Sequence, residues 1–144
     1  MLTKMLVPTD GSELSLKAIE GSVELARKLG AGLVGITVYE PYPTPLGGQR
    51  HIESHAQYDA RMLAEVGVRF APLQARATTA GVALETVVKS SVSPYEAIIQ
   101  TAIDHGCDCI VMSSHGRRGI SALLLGSETQ KVLTHSTIPV LVFR

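Results

Sequence analysis

Five short apolar runs alternate with four stretches of helical periodicity along this 144-residue chain, and that alternation constrains the fold more than any other feature. The runs are Met5 to Pro8, Leu33 to Val38, Val82 to Lys89, Cys109 to Met112 and Pro139 to Phe143. Leu33 to Val38 and Cys109 to Met112 read as buried strands, Met5 to Pro8 and Pro139 to Phe143 as short apolar strands, and Val82 to Lys89 as a partly alternating one. Strands joined through helices pair in parallel with right-handed crossovers. The expected architecture is one α/β domain over residues 1–144, a doubly wound five-stranded parallel sheet. Ligands of such sheets sit at the carboxyl ends of the strands, near the switch in strand order. Asp10, Val38 and Ser113 to Gly116 all fall at such ends.

The helices are marked by their ends as well as by their period. Ser12 is placed to cap a helix whose apolar residues Leu14, Ala18, Ile19, Val23, Leu25 and Ala26 recur at helical spacing, and Gly30 ends it. Tyr39 to Gly48 is rich in proline and glycine and reads as loop. A long helix from about Ser54 to about Ala80 carries Met62, Leu63, Val66, Phe70 and Leu73 on its apolar face, and Pro72 is expected to kink or break it. Ser93-Pro94-Tyr95-Glu96 is the cleanest helix start, with Ser93 as cap, and Ala97, Ile98, Ala102 and Ile103 form the inner face up to Gly106.

The stretch after the fourth strand carries the chemistry. Ser113-Ser114-His115-Gly116 is followed, nine residues later, by Gly126-Ser127. Small residues past a strand let backbone N–H groups turn toward an anion without obstruction. After a short apolar stretch, Ile120 to Leu125, Ser127-Glu128-Thr129-Gln130 fits a capping box opening the last helix. A helix N-terminus offers unpaired N–H donors and partial positive charge, which suit phosphate. Two such turns suggest one phosphate chain held from two sides.

Composition excludes several alternatives. Formal net charge is zero, which advertises no nucleic acid or acidic lipid, and tryptophan is absent, which argues against a stacking platform for single strands. No apolar run approaches a membrane span, and the N-terminus lacks the layout of a signal peptide. Cys107 and Cys109 are too close in sequence for an ordinary bridge and read as buried thiols in a reducing cytoplasm. His51 and His55 have metal-ligand spacing, but no further ligand stands near them, so metal is not expected.

Pro8-Thr9-Asp10-Gly11-Ser12, the Ser113 to Gly116 turn, Gly126-Ser127 and the closing Ile138-Pro139-Val140-Leu141-Val142 together resemble the universal stress protein family. The resemblance runs over essentially the whole chain. It implies strand order 3-2-1-4-5 in an adenine nucleotide alpha hydrolase-like fold. It also implies a stress-response or regulatory protein that binds ATP or another adenine nucleotide, with Mg²⁺ assisting and at most slow hydrolysis. Carried over by position, Asp10 would bond the ribose or the adenine side and Val38 would offer its backbone to the adenine edge. Gly116, Gly126 and Ser127 would hold phosphates, with Arg117 close by. Pro8, Thr9, Met112, His115 and Glu128 complete the candidate site. The family's nucleotide-binding branch has Gly-x-x-Gly before the nine-residue spacer; here Ser113 stands at the first glycine and would face the ribose.

Each residue also has a plainer reading. Asp10 can stabilise its own Asp-Gly turn, Ser127 can serve only as a cap, and Arg117 with Arg118 can be a solvated pair. Glu128 places a carboxylate beside the proposed phosphates, where a divalent cation or the helix dipole would offset it. His115 has no evident nucleophile to serve and reads as a turn former rather than a catalyst. A second functional reading is a dimeric interaction module that binds no nucleotide. A receiver domain is discounted because the third strand ends in Lys89-Ser90-Ser91 rather than an aspartate, and an FMN protein because Asp10-Gly11-Ser12-Glu13 is short and acidic. The apolar last strand, expected at a sheet edge, predicts a homodimer through Val140 to Phe143. A regulatory role further implies a protein partner of unknown identity.

Overall fold

The computed structural model describes residues 1–44, 53–115 and 125–144. Its elements run β1 (Lys4–Pro8), α1 (Glu13–Leu29), β2 (Gly32–Tyr39), α2 (His55–Ala80), β3 (Leu84–Ser90), α3 (Pro94–Asp104), β4 (Cys109–Ser113), α4 (Ser127–His135) and β5 (Val140–Phe143). The strands form one sheet in the order β3-β2-β1-β4-β5, parallel throughout. This is the doubly wound α/β arrangement expected from the alternation of strands and helices.

The sheet separates two apolar layers. Met5, Val7, Leu33, Cys109 and Val111 pack with Ile19 and Val23 of α1 and Leu73 of α2. Leu6, Val34, Ile36, Ile110 and Met112 pack with Ile98 and Ala102 of α3 and Val132 of α4. Alternate residues of a strand point to opposite faces, so the central strands must be apolar at every position to serve both layers. Cys107 belongs to the second layer and Cys109 to the first, both as free buried thiols. Burial pushes the Cys107 thiol up to about 11 and raises that of Cys109 as well, which leaves both protonated and unreactive near neutral pH.

Several helix-end expectations need correction. The Ser12 side chain accepts from the Ser15 N–H, and Gly30 ends α1 in the left-handed region at φ 66°. Ser93, by contrast, makes no side-chain capping bond. The start of α3 is served from another element: the Glu128 carboxylate accepts from the Tyr95 N–H at 2.9 Å. Nor does Ser127 cap α4, because Gly126 takes the N-cap position and Ser127 is the first helical residue. The two-sided capping box lies instead at Ser54 and Gln57, at the start of α2.

Helix α2 runs unbroken through Pro72. Proline removes the bond to the carbonyl four residues back, that of Val68, and Val68 is 72% exposed, so water can take the place of the lost donor. Burial of Phe70 and Leu73 on either side holds the turn in place. Leu63 and Ile103, read as inner-face residues, point to solvent, while Tyr58, Ala77 and Thr101 are buried in their helices instead. Close approach of α2 to the sheet depends on Gly35, where an added Cβ would lie 2.7 Å from Leu73 Cδ2.

Asp108, just before β4, ties the amino-terminal strand in place. Its Oδ2 accepts from the Thr3 N–H and hydroxyl, each at 2.7 Å, and its Oδ1 from the Lys4 N–H at 3.3 Å. Burial pushes this carboxyl up, but the bonds from Thr3 and Lys4 outweigh it and hold the carboxyl below its ordinary range. Asp108→Ala is expected to lower stability at pH 7 by about 1–2 kcal/mol in urea titration, the net value of such bonds near the surface. A depressed carboxyl contributes stability above its unfolded pKa and loses it as pH falls through its folded pKa. The difference between wild type and variant should therefore shrink in acid, and a difference independent of pH down to unfolding would contradict the assignment.

Candidate functional site

The carboxyl ends of β1, β2 and β4 converge on one rim, where the predicted positions can be placed one by one. Pro8 closes β1, and Thr9 is buried, its N–H donating to the Ile36 carbonyl at 2.9 Å. Asp10 turns its Oδ1 to the Ser12 N–H at 2.9 Å, so its side chain stabilises the β1–α1 turn while remaining half-buried at the rim. Gly11 follows at φ 79°, in the left-handed region that glycine tolerates. Val38 lies on the neighbouring strand, half-buried, near its carboxyl end.

The end of β4 is built from hydrogen bonds among small residues. Met112 is buried beneath it. The Ser113 hydroxyl donates to the His115 carbonyl at 2.8 Å, and the Ser113 carbonyl accepts from the Thr129 hydroxyl at 3.0 Å. Ser114 is bonded on both sides, its N–H to the Phe143 carbonyl at 2.8 Å and its carbonyl to the Gly126 N–H at 2.7 Å. His115 is buried, with Nδ1 3.1 Å from the Ser114 hydroxyl, as a turn residue would be. Gly116 and Arg117 fall in 116–124, outside the described residues.

These bonds fix the start of α4 against the end of β4. Gly126, at φ −60° and ψ 149°, has no side chain to cap the helix, and the first intrahelical bond is that of the Gln130 N–H to the Gly126 carbonyl. The N–H groups of the first turn are the donors that an anion would meet. Ser127 is exposed there. Glu128 does not crowd them with free charge: Oε2 accepts from the Tyr95 N–H at 2.9 Å, and Oε1 lies 3.0 Å from Lys131 Nζ.

Residues 1–144 match the model of the family described as the universal stress protein family. The chain belongs to that family. A universal stress protein of Thermus aquaticus, named for its place in the QAH/OAS sulfhydrylase 3' region, is 34% identical over 144 residues and is covered in full, as is this chain. A crystal structure from the universal stress protein family of Burkholderia pseudomallei is 27% identical, with TM-score 0.75 and coverage of 99% of this chain and 96% of that one. A universal stress protein in complex with cAMP is 25% identical, with TM-score 0.70 and coverage of 99% and 97%.

This universal stress protein has a further rim residue that sequence reasoning missed. Arg69 of α2 donates from Nη1 to the Thr37 hydroxyl and to the Val38 carbonyl, both at 3.3 Å, and from Nη2 to Glu65 at 3.1 Å. The Thr9 hydroxyl donates to the Arg69 carbonyl at 3.4 Å, so one residue joins the ends of β1 and β2. A signal was present in the chain: Val66, Arg69 and Leu73 follow helical spacing, which places an arginine on the buried stripe of α2. Among the described residues, no group of three or more His, Cys, Asp and Glu could hold a metal ion. His51 lies outside those residues, and His55 faces Asp59 at 3.7 Å. No described helix is long and apolar enough to cross a membrane.

Proposed function

We propose that this universal stress protein binds an adenine nucleotide, ATP with Mg²⁺, at the carboxyl rim of its sheet, and acts in the cytoplasm as a regulatory binding protein. The start of α4 carries the reading. It is a helix N-terminus with no side-chain cap among the described residues, clamped to the end of β4 through the Gly126 N–H and the Ser114 carbonyl. A family relative bound to cAMP adds support for an adenine nucleotide. In this reading the first turn of α4, with the Ser127 hydroxyl, holds phosphates. Asp10 and Ser113 lie beside the ribose, and the Val38 backbone meets the adenine edge. Glu128, already served by Tyr95 and Lys131, needs no cation of its own, so Mg²⁺ would ride on the phosphates and water. Hydrolysis is slow at most, since His115 is buried in its turn and bonded to Ser114.

A second reading, a dimeric module without nucleotide, is favoured by Ser113 at the motif's first glycine. The two are separated by releasing small molecules from purified protein with denaturant and identifying them by mass, and by calorimetry with ATP. Adenine nucleotide in the released fraction, or saturable ATP heat, is the expected result. Absence of both up to millimolar ATP would favour the second reading.

A further inference from the structure

We propose that Arg69 sets the base preference of this site, covering the Val38 carbonyl with a donor-only cation so that 6-oxopurines, guanine and hypoxanthine, are admitted alongside adenine. The inference rests on the nucleotide reading above, and within it on Val38 meeting the base edge. The side chain of Arg69 is only 12% exposed. It is held along its length: its stem lies against Gly11, where a Cβ would be 3.1 Å from Arg69 Cγ, and its head is fixed by Thr37, Val38 and Glu65. A guanidinium fixed in this way is a permanent part of the rim.

Adenine presents an amino group at position 6, which needs an acceptor. Guanidinium has five donors and no acceptor, so its hydrogens and those of the amino group converge on the same Val38 oxygen. That oxygen has a second lone pair, which leaves adenine bound but its advantage reduced. A 6-oxopurine places an acceptor at the same point and takes a donor from the cation. Arginine on the O6 and N7 atoms of guanine is the most common specific contact between side chain and base. Arg69 has donors to spare, since Thr37, Val38 and Glu65 take three of its five N–H hydrogens among the described residues.

Calorimetry of the full chain with ATP and with GTP, in wild type and in Arg69→Met, tests this. Wild type is expected to hold the two nucleotides within about tenfold of one another. Arg69→Met should raise the preference for ATP by about tenfold or more, as expected for loss of a hydrogen bond to a charged group, with GTP weakened and ATP unchanged or tighter. A merely structural role would weaken both together. Arg69→Gln keeps a polar head and adds an acceptor for the amino group. It should shift the ratio in the same direction, and it decides the matter if melting shows the methionine variant unfolded. An ATP:GTP ratio unmoved by substitution, or a wild-type preference for ATP beyond about a hundredfold, would overturn the role of Arg69 while leaving the nucleotide site intact. Absence of all nucleotide binding by wild type would overturn both.

Discussion

Gly126→Leu is expected to weaken ATP binding by about tenfold to a hundredfold, the value of one or two hydrogen bonds to a charged phosphate. Gly126 occupies φ −60° and ψ 149°, a conformation open to any residue, so leucine there strains no backbone. What it changes is access: a branched side chain would stand over the first turn of α4, where the N–H groups of Ser127 and Glu128 emerge. Leucine is also a poor N-cap, which makes some loss of stability expected, on the order of 0.5–1 kcal/mol. Gly126→Ser separates the two effects. Serine is a better cap and should stabilise α4, while its small side chain competes with phosphate only for one donor. Calorimetry and thermal melting on both variants give the comparison. Full ATP affinity in a folded leucine variant would place the phosphates elsewhere.

Leu141→Asp is expected to convert a homodimer into a monomer, seen by light scattering as a fall to the mass of one chain, 15.3 kDa. Among the described residues, β5 lies at the edge of the sheet and pairs only with β4. Pro139 and Phe143 turn their carbonyls to Ile110 and Ser114 of the β4 segment, so by alternation Val140 and Val142 turn their N–H and carbonyl groups to the open edge. The missing N–H of Pro139 then falls on the β4 side and costs the edge nothing. Antiparallel pairing with a second copy would satisfy these groups across a two-fold axis and cover an apolar edge. An axis near Leu141 would bring two aspartates together in the variant, and like charges across a strand pair are destabilising. Leu141 is 38% exposed, so the aspartate reaches water while the single chain loses the apolar surface that leucine covers, and thermal melting checks that the variant stays folded. A wild-type mass of one chain at tens of micromolar protein would refute the dimer.

The contacts of β5 also join the two predictions physically. Phe143 is the partner of Ser114, Ser114 is the partner of Gly126, and Gly126 begins α4. The proposed dimer edge and the proposed phosphate site are thus separated by two backbone hydrogen bonds.

Much of this molecule was determined by local sequence. Central strands buried on both faces must be apolar at nearly every position, which is why Met5 to Val7 and Cys109 to Met112 stood out from their surroundings. Helix spacing and the glycine at position 30 made α1 legible, because a left-handed residue ends a helix whatever surrounds it. The close of β4 at Ser113 was equally visible, because an apolar strand ends there in small polar residues.

Other features were decided only by packing between distant elements. Ser93 looks like a cap and is not one, because Glu128, thirty-three residues away, reaches the Tyr95 N–H first. Pro72 looks like a break and is not one, because neighbours buried on the sheet side hold α2 together while its exposed side faces water. Arg69 falls on the inward stripe of α2 by its spacing, but only the close seat of α2 on Gly35 brings it to the ends of β1 and β2. Periodicity states which face of a helix turns inward. It does not state how near that face comes to the sheet or what polar group waits there, and those distances are set by the tertiary fit of side chains far apart in the chain.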